Sequence, residues 1–149
     1  MTRRINFAIA AAALLSAVCL APVASQAEDV SPDTVYTDIE KTFGGVPNFV
    51  TQLPKSSLAA LWEEEKAVEL SDKTALPPKI KALISLAVAS QIPCTYCIWA
   101  DTMTARQLGA TDEEIAEAVV MAGHTRLWST MFNGLQVDFD QFKKDMGGQ

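Results

Sequence analysis

The sequence predicts an all-α fold, a compact helical bundle that follows a cleaved leader. Apolar residues recur three and four apart in successive segments, and helix-start and helix-stop residues bracket those segments. No stretch alternates with period two between turn residues, so no sheet is expected. With 149 residues and 49% apolar composition, the chain can build one domain with a core of its own and needs no disulfide to fold. Internal repeats and low-complexity segments are absent.

The chain opens on an export signal. Arg3 and Arg4 form a basic start, Ile5 to Leu20 is apolar, and Ser25-Gln26-Ala27 offers small residues where a signal peptidase reads them. Cleavage is expected after Ala27, giving a signal peptide over 1–27, a domain over 28–149 and a periplasmic location. Cys19 follows Val18, where a lipoprotein signal has a small residue, so it reads as part of the apolar run. The Arg3-Arg4 pair is ordinary for general secretion. The run is too short and alanine-rich for a stable membrane span.

Within the domain, Ser31-Pro32-Asp33 starts a first helix, with Ser31 as N-cap. Val35, Ile39 and Phe43 form one face and Gly44-Gly45 the stop. Val46-Pro47-Asn48-Phe49 is a turn into a short apolar piece. Ser56 or Ser57 is expected to cap a second helix with Leu58, Leu61, Trp62 and Val68 on its face. Glu63, Glu64 and Glu65 are consecutive and cannot share a face; the favoured reading is a solvated acidic edge, the alternative that one turns toward the thiols.

Pro77-Pro78 opens a third helix, expected to be central and buried. It carries Ile80, Leu83, Ile84, Ala87 and Val88 on one stripe, and small residues (Ala82, Ser85, Ala89, Ser90) that permit close packing. Pro93 makes a tight bend and suits the first turn of the next helix, whose spacing runs through Ile98, Met103 and Leu108 to Gly109. Thr111-Asp112-Glu113-Glu114 is a capping box. Ile115, Ala118, Val119, Ala122 and Leu127 give the fifth helix its face, and Asn133-Gly134 stops it. Val137, Phe139 and Phe142 suggest a short last helix.

The formal charge is −6; removing 1–27 takes two arginines and no acid, leaving 10 basic and 18 acidic residues, a net −8. Such a chain cannot neutralise phosphates, which excludes a nucleic-acid partner. Processing also leaves only Cys94 and Cys97, which export places where disulfides form and persist. A cysteine at a helix start meets unpaired N–H groups and the positive end of the macrodipole, which favour thiolate.

Spacing removes several readings of this pair. Covalent haem attachment needs His directly after the second cysteine, where Ile98 stands. A thioredoxin-type site follows a strand, and the preceding segment is helical. Zinc needs four ligands; Cys94, Cys97, Asp101 and His124 are a nominal set, but no second paired-ligand motif accompanies them, so no metal or other cofactor is expected. A static disulfide is the bland alternative, although so small a loop removes little unfolded-state entropy.

Three stretches together resemble the carboxymuconolactone decarboxylase and alkylhydroperoxidase D-like (AhpD-like) family. They are Pro78-Lys79-Ile80-Lys81-Ala82-Leu83-Ile84, Cys94-Thr95-Tyr96-Cys97, and Leu108-Gly109-Ala110-Thr111-Asp112-Glu113-Glu114-Ile115. Phe43-Gly44-Gly45-Val46-Pro47-Asn48-Phe49 resembles the family's approach to that core. The resemblance implies an AhpD-like helical bundle, assembly into trimers or hexamers, and, for the cysteine-containing branch, a disulfide-cycling peroxidase or reductase. That branch carries a glutamate twelve positions before the first cysteine and a histidine four after the second, as a proton relay. Here those positions hold Ala82 and Asp101, so only the two cysteines carry over.

Asp101 lies one helical turn past Cys97, on the side that also carries Cys94, and is a candidate general base. A carboxylate there also repels thiolate and makes the pair a weaker oxidant. His124, the only histidine, is a candidate replacement for the missing relay member, against the commoner role of a packed helix residue. Tyr96, Trp99 and Trp128 read as core or subunit-interface packing before pocket lining.

The catalytic set is therefore Cys94, Cys97, Asp101 and His124, in an exported oxidoreductase acting on a small-molecule peroxide or disulfide with an unidentified thiol electron donor. Cys97 is the attacking residue by family analogy, whereas local electrostatics favour Cys94. The alternative function is an oligomeric scaffold or binding protein with a static disulfide. Lactone decarboxylation ranks third, since no ring-acid site is evident.

Overall fold

The computed structural model describes residues 30–148. The expected leader over 1–27, its cleavage site and Cys19 lie outside the described residues. Those described form α1 (Pro32–Phe43), a 3-10 turn (Val50–Gln52), α2 (Lys55–Val68), α3 (Pro78–Gln91), α4 (Thr95–Gln107), α5 (Asp112–Gly134) and α6 (Phe139–Asp145), with no strand among them. The all-α expectation holds, and no described helix is long and apolar enough to cross a membrane.

The first packing centre joins α1 and α2. Ser31 Oγ accepts from Thr34 N–H, Pro32 takes the first helical position, and Gly44 ends α1 at φ 78°, its N–H bonded to Glu40 O. Val35 and Ile39 then pack against Val50, Leu58 and Trp62. The Trp62 indole N–H donates to Asp38 Oδ2 at 2.7 Å, and Lys66 Nζ donates to the same oxygen at 2.9 Å. That anchor turns Leu58 and Trp62 toward α1. It leaves Leu61 and Val68, expected on the buried face, on the wall of an open cleft instead. Neither Ser56 nor Ser57 caps α2: Pro54 is the N-cap, with no side-chain cap bond, so both serines fall inside the first turn.

The second centre joins α3, α4 and α5 around Ala82, Leu86, Ala105 and Ile115, with Leu83, Ile98 and Ala110 half-buried against it. Helix α3 is central in that it packs on both α4 and α5. Its buried stripe, however, is Ala82, Leu86 and Ala89, while Ile80, Ile84 and Val88 are exposed. Small side chains let helix axes approach closely, so the small-residue face packs within the chain and the branched stripe faces out. Full burial of Leu86 contributes about 2 kcal/mol.

Pro93 is not in the first turn of α4. Helix α3 closes at Ile92, Cys94 is the N-cap of α4, and Cys94 N–H donates to Ala89 O across the bend. The packed side of α4 is Ile98, Asp101 and Ala105; Met103 and Leu108 are exposed. Gly109, at φ 82°, turns the chain into the Thr111–Glu114 capping box, which is present in full. Lys79 pairs with Glu114 at 2.8 Å and Arg126 donates to Gln91 at 2.7 Å, so α3 and α5 run alongside in the same direction. On α5, Ile115 and Ala122 are buried, whereas Val119 and Leu127 are exposed because no described element of the chain covers that side. Asp138 caps the expected last helix, and Phe142 packs on Phe132.

Candidate functional site

The tight bend after α3 delivers Cys94 to the N-cap of α4, and one turn of helix brings Cys97 back beside it. The sulfurs are bonded at 2.08 Å, with Cα atoms 5.3 Å apart. Both residues are half-buried, each keeping part of its surface exposed. Cys94 Sγ also accepts from Cys97 N–H at 3.2 Å, occupying the place that a Ser or Asp oxygen takes in an ordinary cap. Of the two, Cys94 is the sulfur whose negative charge the helix terminus would stabilise.

Asp101, one turn further along, is the buried charged residue among those described, only 6% exposed, and its Oδ2 has no hydrogen-bond partner. Burial pushes the carboxyl pKa above its ordinary value; the Ser85 hydroxyl, facing it from α3, works the other way. From α2, Glu65 and Glu69 approach the same region, one turn apart and both half-buried. Their carboxyls are also lifted, chiefly by burial, then by the neighbouring negative charges: Glu69 and Asp101 on Glu65, Asp101 on Glu69. Lys81 partly offsets the effect at Glu69. One member of the acidic run thus turns inward, and it is Glu65; Glu63 stays outside, paired with Lys66 at 2.8 Å.

Glu64, Glu65 and Glu69 border an open cleft of about 560 Å³ whose other walls are apolar, among them Phe43, Phe49, Leu61 and Trp62. His124 lies elsewhere. It is exposed on α5, its Nε2 accepts from Trp128 Nε1–H at 2.9 Å, and it lines a shallow cleft with Trp128, Phe132, Phe142 and Met146. No hydrogen bond joins it to Cys94, Cys97 or Asp101 among the described residues. Tyr96 and Trp99, at 88% and 70% exposure, are not core residues of the chain. Among the described residues no three His, Cys, Asp or Glu side chains are grouped to hold a metal ion.

The structure therefore assembles Cys94, Cys97 and Asp101 and adds Glu65, Glu69 and Ser85, of which sequence reasoning singled out none by number as a site residue. A signal was present for the glutamates. Leu58, Trp62, Glu65 and Glu69 fall three, four or seven apart, so both carboxyls share the flank of the buried stripe of α2.

Residues 57–138 match the family model described as Carboxymuconolactone decarboxylase family. A Paracoccus denitrificans protein called "Uncharacterized protein 4 in cox locus" is 36% identical over 86 residues, which span 50% of this chain and 77% of that one. Among solved structures, the alkylhydroperoxidase AhpD core from Rhodospirillum rubrum matches with a TM-score of 0.65 and 28% identity. That match covers 73% of this chain and 82% of the other.

Proposed function

Because this chain belongs to the carboxymuconolactone decarboxylase family and has the AhpD-like helical fold, we propose that it is an exported thiol–disulfide redox protein cycling Cys94 and Cys97 between bonded and free states. The observation that carries this reading is a bonded, half-exposed cysteine pair at a helix N-terminus, with an unpartnered buried carboxyl one turn away. A disulfide kept only for stability needs neither access nor a carboxyl beside it.

In the oxidative half, the Cys97 thiolate attacks the O–O bond of a peroxide. A sulfenic acid forms on Cys97, and the expelled alkoxide or hydroxide takes a proton. Cys94 then attacks the sulfenic sulfur; the S–S bond forms, the S–O bond breaks, and the hydroxide leaves as water after protonation. Two thiols thus supply two electrons and two protons, and the peroxide becomes an alcohol (or water) and water. In the return half, an external dithiol supplies the same electrons and protons and ends as its own disulfide. Attack there falls on Cys97 sulfur, because Cys94, held by the Cys97 N–H, is the better leaving thiolate.

In this reading Asp101, buried one helical turn past Cys97, holds the proton exchanged with the thiols, the general-base part given in the family's redox branch to other residue types. His124, bonded to Trp128 rather than to the thiols or Asp101, is the second candidate for that part. The exposed apolar stripe Ile80, Ile84, Val88 supports assembly into a homo-oligomer.

Peroxide consumption driven by a small dithiol tests the proposal. The wild type turns over, and Cys94→Ser and Cys97→Ser each lose thiol-dependent turnover. A wild type inactive with every dithiol supplied overturns the reading and leaves the oligomeric scaffold with a static disulfide.

A further inference from the structure

We propose that the open cleft between α1 and α2 is a second ligand site, and that it takes a small amphiphilic cation, an apolar chain ended by a protonated amine. Neither cysteine lines this cleft, so the site stands apart from the redox reading. Its ligand class follows from two features, an apolar depth and the sign of the charge on one wall.

The depth comes from how α1 and α2 pack. Ile39, Val50, Leu58 and Trp62 are buried at the floor, and the Trp62 indole is held there by its bond to Asp38. Above them Phe43, Phe49, Leu61 and Val68 form a rim that keeps 42–66% of its surface exposed. Phe43 meets the Trp62 ring edge-on at 5.8 Å between centroids, which sets one aromatic corner. Pro47, also lining the cleft, restricts the loop that carries Phe49. The volume of about 560 Å³ falls within the roughly 300–1,000 Å³ of small-molecule sites, and its apolar walls leave an alkyl chain's worth of surface to bury.

The charge comes from α2 and the turn that follows it. Glu64, Glu65 and Glu69 are the ionisable residues of the lining, and none of them has an ion-pair partner among the described residues. Lys66, on the same helix, is committed elsewhere: its Nζ bonds Asp38 Oδ2 at 2.9 Å and Glu63 Oε1 at 2.8 Å. Burial and negative neighbours lift the Glu65 and Glu69 carboxyls, with Lys81 partly opposing this at Glu69, so added positive charge is favoured on this wall. An ammonium group brings that charge together with N–H donors for the carboxylate oxygens, while its alkyl chain covers the aromatic rim and floor. An anionic amphiphile meets the wrong sign, and an uncharged one leaves the carboxylates unpaired. A second copy of the chain is a poor occupant, since residues 28–149 carry a net −8 and bring like charge to this wall.

The test titrates the protein at pH 7 with octylammonium, octanol, octanoate and propylammonium, followed by amide NMR. Octylammonium is expected to bind saturably and shift signals of α1 and α2, with each of the other three at least about ten-fold weaker. In the Glu65→Gln/Glu69→Gln double variant octylammonium should fall about ten-fold, to the level of octanol, while octanol stays as in wild type. Phe49→Ala should weaken both. Glu117→Gln, which removes an exposed charge of α5 outside the cleft, should keep octylammonium within about two-fold of wild type. Octanol matching octylammonium in the wild type overturns the site, as does a double variant that keeps wild-type affinity. Shifts confined to other helices overturn it too, and so does the absence of any shift, the result expected if a second copy fills the cleft. All of these results leave the thiol chemistry standing, and a protein without dithiol-driven turnover leaves the cleft's ligand standing.

Discussion

At residue scale the molecule keeps one carboxyl where a carboxyl is expensive. Asp101 is buried with an unpartnered oxygen, and burial lifts its pKa in the folded state. Between the unfolded and the raised folded value the native protein binds more protons than the unfolded chain, so stability falls as pH rises through that window. Asp101→Asn is expected to melt about 2–4 °C higher than wild type at pH 7. The gap should close as pH falls to about 4, where the unfolded carboxyl is also protonated. The same variant should lose at least about ten-fold in dithiol-driven turnover. Higher stability with unchanged turnover would make Asp101 a mere defect of packing. The cysteines and Asp101 were legible in the sequence because they lie on one helix, where spacing alone sets the face. Glu65 was seen only as one of three consecutive acids, since which of them is partly buried depends on how α2 packs on α1 through Leu58 and Trp62, a contact between separate segments.

At the scale of elements, caps and stripes decide what the chain does. The N-terminus of α5 has a complete capping box, and Thr111→Ala should cost about 1 kcal/mol in denaturant unfolding. Ser56→Ala should change stability by less than about 0.5 kcal/mol, because Ser56 makes no cap bond in α2. Equal losses at both sites would contradict the observed start of α2. The capping box was readable because its two partners are local; the start of α2 was not, because the 3-10 turn, Pro54 and the Trp62–Asp38 bond to α1 fix it jointly. Helix α3 shows the same limit. Its apolar stripe and its small-residue stripe are both periodic, and periodicity cannot tell which meets a neighbour in the chain and which faces out.

For the whole molecule, the outward stripe of α3 and the exposed Tyr96 and Trp99 are apolar surface that no described element covers, the kind of surface a subunit contact would use. Ile84→Glu, which puts a charge in the middle of that stripe, should shift the protein to a smaller species in sedimentation while its helical circular dichroism is retained. An unchanged sedimentation coefficient would place any subunit contact elsewhere. The fold class followed from the sequence because each segment carries its own period and stops. The division into an α1–α2 centre and an α3–α4–α5 centre did not, since it depends on which faces meet. Function turns finally on whether the sulfurs at the head of α4 change partners in the folded protein. Equilibrating the native protein against a graded dithiol–disulfide buffer measures this directly. Reversible opening of the Cys94–Cys97 bond is expected, with a potential above about −300 mV, the range of exchangeable disulfides. A bond that stays closed below that potential until the helices melt would contradict it.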